Sequence, residues 1–211
     1  MNRAYIFCKF CGTKNFIQNE TMKTNINIGN GINIAAKTDL DTLIKSAKYA
    51  VSLKQYDKAN DLLMATIISG SDNYEVYITK AMIDLQKDDG KSLFESLRKL
   101  RELENTQNNN EITIAINNLM HYRGINGVTA LHNATFHEQF DMVQFCVEHG
   151  ADVNLIAGMN MVSPISIMFV PISPKLQKID GTPFIRNKIA VKQIRNYLMS
   201  HGANDKFRFG Y

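Results

Sequence analysis

Residues 126–154 read NGVTALHNATFHEQFDMVQFCVEHGADVN. Val143, Phe145, Cys146 and Val147 fall together as the apolar face of one helix in this stretch. Gly150 follows that helix directly, and a glycine there supplies the left-handed backbone that stops it. Asp152 and Asn154 then suit a shaped loop, because their short side chains hydrogen-bond to nearby backbone.

The stretch resembles one ankyrin repeat. The family opens with Gly, any residue, Thr-Pro-Leu-His and a spaced Ala, and here Gly127, Thr129, Leu131, His132 and Ala134 stand in that order. The ending Gly150-Ala151-Asp152-Val153-Asn154 matches as well. The resemblance implies that Thr129 caps a first helix and bonds to His132, whose ring ties neighbouring turns. Three departures stand out: Ala130 for the usual Pro, Thr135 for Ala, and Glu138-Gln139 for Gly-His. They should cost stability, not kinship.

A second unit follows Asn154. Ser163-Pro164-Ile165 stands where Thr-Pro-Leu is usual, and His201-Gly202-Ala203-Asn204 closes the unit. Gly150 and Gly202 lie 52 residues apart, against about 33 for the repeat. The excess fits an insertion near 169–187 that carries Lys175, Lys178 and Arg186, with Lys188 beside it. Upstream, residues 91–104 and 111–122 read as two helices without the signature, suited to capping the apolar end of a stack. Arg208, Phe209 and Tyr211 would cap the other end, or pack back onto the last helices.

Residues 38–88 carry three helical patterns. Thr38 with Asp39 or Asp41 is a capping start, and Asp88-Asp89-Gly90 a stop. Ala47, Tyr56, Ala59, Leu62, Asn73, Tyr74, Tyr77 and Ala81 resemble about one and a half tetratricopeptide units. Fewer than three units seldom hold a core alone, so this block should pack on its neighbours.

Residues 1–37 are rich in Asn and Thr. Ile26, Ile28, Ile32 and Ile34 alternate with asparagines around Gly29-Asn30-Gly31, a pattern for a small β-hairpin. The fold class that follows is mostly α: an ankyrin-type stack over 89–211, tetratricopeptide-like helices over 38–88, and a Cys knuckle with a hairpin over 1–37.

Chemistry is sparse. Cys8 and Cys11 are two residues apart and resemble half of a zinc ribbon, a module that often precedes helical repeats in bacterial proteins. Structural zinc takes four ligands, and no second pair follows. A relic, a zinc shared two-plus-two between two chains of a homodimer, a redox pair, and a ligand from a partner all remain open. His132, His149 and His201 sit at positions that the repeat explains, and neither His121 nor His137 falls in a metal or catalytic motif. Gly29-Asn30-Gly31 lacks the Lys-Ser/Thr of a phosphate loop. No cofactor and no enzymatic activity is expected.

Composition sets the remaining bounds. The 211 residues are 45% hydrophobic and 21% charged, which suits a folding chain. No apolar run approaches the roughly eighteen residues of a membrane span, and the N-terminal apolar run is too short for a signal peptide. Three cysteines do not make a secreted disulfide framework. A cytoplasmic address is therefore expected. Net charge is +4, with eight basic and two acidic residues over 169–208. That is mild for nucleic acid, which stays the second reading, through the basic terminal segments. The leading expectation is a protein-binding module that tethers, regulates or neutralises another protein by covering its surface. The candidate contacts are the hairpin tips at 125–128 and 155–162 and the first helix at 131–138: Asn126, Val128, Asn133, Phe136, His137, Asn160 and Met161. Phe136 reads equally as interface anchor or as core. Lys175 and Lys178 of the insertion join the list.

Overall fold

The structure is a computed structural model. It describes residues 40–68, 70–158, 161–172 and 181–204, with the backbone of four short strands before them. Strands β1 (Ala4–Phe7) and β2 (Lys14–Ile17) pair antiparallel, as do β3 (Asn27–Ile28) and β4 (Ile32–Asn33). Cys8, Cys11 and the Gly29–Gly31 turn lie outside the described residues, as do Thr38, Asp39, Asn160, Lys175, Lys178 and the C-terminal aromatics.

Among the described residues eight α-helices follow: α1 (Leu40–Ser52), α2 (Tyr56–Ile68), α3 (Tyr74–Lys87), α4 (Gly90–Gln107), α5 (Asn110–Met120), α6 (Ala130–Phe136), α7 (Phe140–Glu148) and α8 (Lys188–Ser200). Each packs on its sequence neighbour or the next but one, and α4 reaches forward to α6 and α7. One apolar cluster therefore runs from Ile44 to Ala203.

Short polar links set the helix ends. Asp88 and Asn108 take left-handed backbone (φ 55° and 43°) and close α3 and α4. Asp89 and Asn109 then cap α4 and α5, accepting the Ser92 and Glu111 amides at 3.1 and 2.9 Å. The stop expected at Asp88-Asp89-Gly90 falls at Asp88, and Gly90 opens α4. It is glycine for a different reason: a Cβ there would meet His137 Nε2 at 2.9 Å. The gap between the helices expected at 91–104 and 111–122 is also shorter, because α4 runs on to Gln107 and α5 starts at Asn110.

Helix α3 is more central than its one-sided pattern implies. Val76, Tyr77, Thr79, Lys80, Ala81, Ile83, Asp84 and Leu85 are all buried. Lys80 is tolerated there because it pairs with Asp84 and reaches Ser92 of α4, so the buried charge is not left alone. Burial pushes the Asp84 carboxyl up, and Lys80 opposes that rise.

Residues 126–158 form the first unit and 161–204 the second. The expected first helix of the second unit is reduced to a 3-10 turn at Ser166–Phe169. Ser163 and Ser166 bond to each other's amides at 2.7 and 3.3 Å, a compact version of the Thr129–His132 pairing. The two units end alike. Gly150 and Gly202 have φ 81° and 88°, and the amides of Ala151 and Ala203 return to Cys146 and Leu198.

Candidate protein-binding face

His132 is fully buried and binds on both sides. Its Nδ1 lies 2.9 Å from Thr129 Oγ1 and accepts the Thr129 amide at 3.4 Å. Nε2 therefore carries the hydrogen and donates to the Val162 carbonyl at 3.2 Å, across to the second unit. Burial drives its pKa down to about 4, opposed by its backbone hydrogen bonds, so the ring is neutral at pH 7. Asn154 does the same work at the other end. Its amide donates to Gly202 O at 2.9 Å, and its side-chain oxygen accepts the Asn204 amide at 2.7 Å.

These ties bring two hairpin tips side by side. The first is a 3-10 turn at Ile125–Gly127, with Asn126 left-handed (φ 57°). The second is bounded by the Ala157–Val162 bridge. The Gly158 amide donates to Asn126 O at 2.7 Å. Gly124 seats the first tip against α3, where a Cβ would lie 2.3 Å from Leu85 O. Gln86 Nε2 donates to Tyr122 Oη and Arg123 O at 3.0 and 3.1 Å. The outer surface of the paired tips carries Ile125 (44% exposed), Asn126 and Met161 (66% exposed).

The other candidates divide. Val128 is half-buried. Asn133, expected on the surface, is 5% exposed, and its amide points back to Thr129 O. Phe136 and His137 are half-buried because the segment before α8 folds over them. Phe184 stacks on Phe136 at 5.5 Å, and Phe94 and Phe184 meet the His137 ring edge-on. The expected contact helix is thus covered at its C-terminal end. Burial, with help from the Arg186 charge, lowers the His137 pKa.

Arg186 is the residue that sequence reasoning misplaced. It read as part of a basic loop surface. Its guanidinium instead lies 4.9 and 5.1 Å from the Phe136 and Phe184 rings. It donates to Phe136 O at 2.6 Å and Ile167 O at 3.2 Å, and lies 3.7 Å from Glu138. Glu138 stands at a left-handed position (φ 59°) where the family keeps glycine. Its carboxylate also accepts the Asn187 amide, which starts α8. The departure from glycine therefore creates a tie between units.

The repeat also docks on α4 and α5. Glu104 accepts Thr113 Oγ1 at 2.6 Å and faces His149 Nε2 at 3.0 Å. Burial would raise the Glu104 pKa, but those two partners outweigh it and lower it. Arg101 donates to Asp141 O at 2.6 Å and covers the Phe145 ring. Cys146 is core, and burial pushes its thiol up to about 12. No group of three or more potential metal ligands occurs among the described residues. None of the described helices is long and apolar enough to cross a membrane.

Residues 126–157 match the family model of the ankyrin repeat. No curated protein and no solved structure matches the chain. The match covers α6 and α7 of the first unit, and the mostly helical fold is consistent with an ankyrin-like helical repeat.

Proposed function

We propose that the protein is a non-enzymatic interaction module that grips another protein with the paired hairpin tips and regulates or tethers it by occupying its surface. Ankyrin repeats generally serve protein–protein contact, and residues 126–157 match one. The observation that carries the reading is the exposed Ile125–Asn126–Met161 surface on two tips locked by the Gly158–Asn126 hydrogen bond. Apolar side chains carried on a preorganised backbone bind with less ordering cost than the same side chains on a loose one.

The test is affinity capture from the native cell by the full chain and by Ile125→Asp/Met161→Asp. Both positions are exposed, so the variant keeps its fold. A partner held by the wild type and lost by the variant supports the proposal. Equal capture by both contradicts it.

A further inference from the structure

We propose that the loop edge of the stack, continuous with the tips, takes an extended acidic segment of the partner protein, with carboxylates over Lys54, Lys58 and Arg123 and an apolar residue against Ile125 and Met161. This rests on the reading above and narrows it to one class of partner.

Three observations carry it. The first is shape. The turn between α1 and α2 and the end of α3 enclose a dent of about 350 Å3, open to solvent and lined by Lys54, Gln55, Tyr56, Asp57, Lys58 and Lys87. An open basic trough suits a passing chain better than an enclosed small molecule. The second is charge. Asp57 and Lys87 pair at 2.7 Å and cancel each other. Asp88 and Asp89 are exposed beside them and offset two charges. Lys54, Lys58 and Arg123 make no ion pair among the described residues, which leaves cations for an incoming acid. The third is continuity. Lys87 ends α3 one residue after Gln86, which bonds to Tyr122 and Arg123, and the first tip begins two residues later. The Asn126–Gly158 bond carries the edge on to Met161. Four successive loops at helix spacings of roughly 10 Å span about 30 Å. An extended segment of about nine residues covers that length.

The probe is a random dodecapeptide phage library selected on the full-length protein and on Lys54→Glu/Lys58→Glu. Both substitutions are exposed, and thermal unfolding checks that the variant is folded. The expected result is a pool enriched in Asp and Glu together with Leu, Ile or Phe. The best peptide, read by fluorescence anisotropy, should weaken at least about tenfold on charge reversal and again on raising salt from about 0.05 to 0.5 M. A pool with no acidic excess, or one bound equally by the reversed protein, overturns the inference. So does a single-stranded oligonucleotide of matched charge that binds as tightly, since the edge would then be a general polyanion surface. Peptides that depend on Ile125 and Met161 but not on the lysines would sink the acidic groove and leave the tip-binding proposal standing.

Discussion

His132 concentrates the repeat's logic in one ring. It is buried, neutral and bonded to both units. Its folded pKa of about 4 lies below the ordinary 6.5, so the unfolded chain takes up a proton that the native state refuses. The sign follows: this contribution is whole above about pH 6.5 and is lost as pH falls toward 4, by roughly 3 kcal/mol. Urea unfolding at pH 7, 5.5 and 4.5 should show that slope in the wild type and a shallower one in His132→Gln. At pH 7, His132→Ala should cost about 3 kcal/mol, because it leaves the Thr129 amide unpaired, takes one of two donors from the Val162 carbonyl and opens a void. Identical pH slopes in the two proteins would contradict this role for the ring.

At the scale of elements, the strong periodic patterns were legible and the exceptions were physical. The cap chemistry of Asn73, Asp89, Asn109 and Asn187 ends or starts helices as such residues do. Thr129, His132, Gly150 and Asn154 carry the repeat's local geometry, so a short motif announced them. Arg186 and the Lys80–Asp84 pair did not announce themselves. A half-buried guanidinium lying against two phenyl rings is a product of tertiary packing, and the i,i+4 spacing of Lys80 and Asp84 within α3 does not say that packing on α4 buries the pair. The reduced second unit was hidden too, since Ser163-Pro164-Ile165 reads as a helix start and only packing decides how far the helix runs. Arg186→Met should loosen the segment ahead of α8. The expected loss is about 2 kcal/mol, with faster proteolysis between residues 172 and 187, since two carbonyls lose a charged donor. Arg186→Lys should not rescue it, because an ammonium cannot lie against both rings while feeding two carbonyls as the planar guanidinium does. Full rescue by lysine would mean that charge alone matters at this position.

Across the whole molecule, the repeat leans on the helices before it. Phe94 supports His137, Arg101 holds the start of α7, and Glu104 meets His149 at its end. Two units, one of them reduced, are too few to bury a core alone. A fragment of residues 122–204 should therefore lack cooperative unfolding, while 40–204 keeps it. Circular dichroism with thermal melting distinguishes the two, and a sharp transition in the short fragment would contradict the shared core. The same dependence fixes the proposed binding face: α3 holds Gly124 and Arg123, and thereby aims the tips.

Hydrogen exchange of the full chain, alone and bound to its captured partner, tests the central claim most directly. Slowed exchange at the amides of residues 122–128 and 157–162 is the predicted result. Protection confined to α8 or to the outer face of α7, with both tips unchanged, would contradict it.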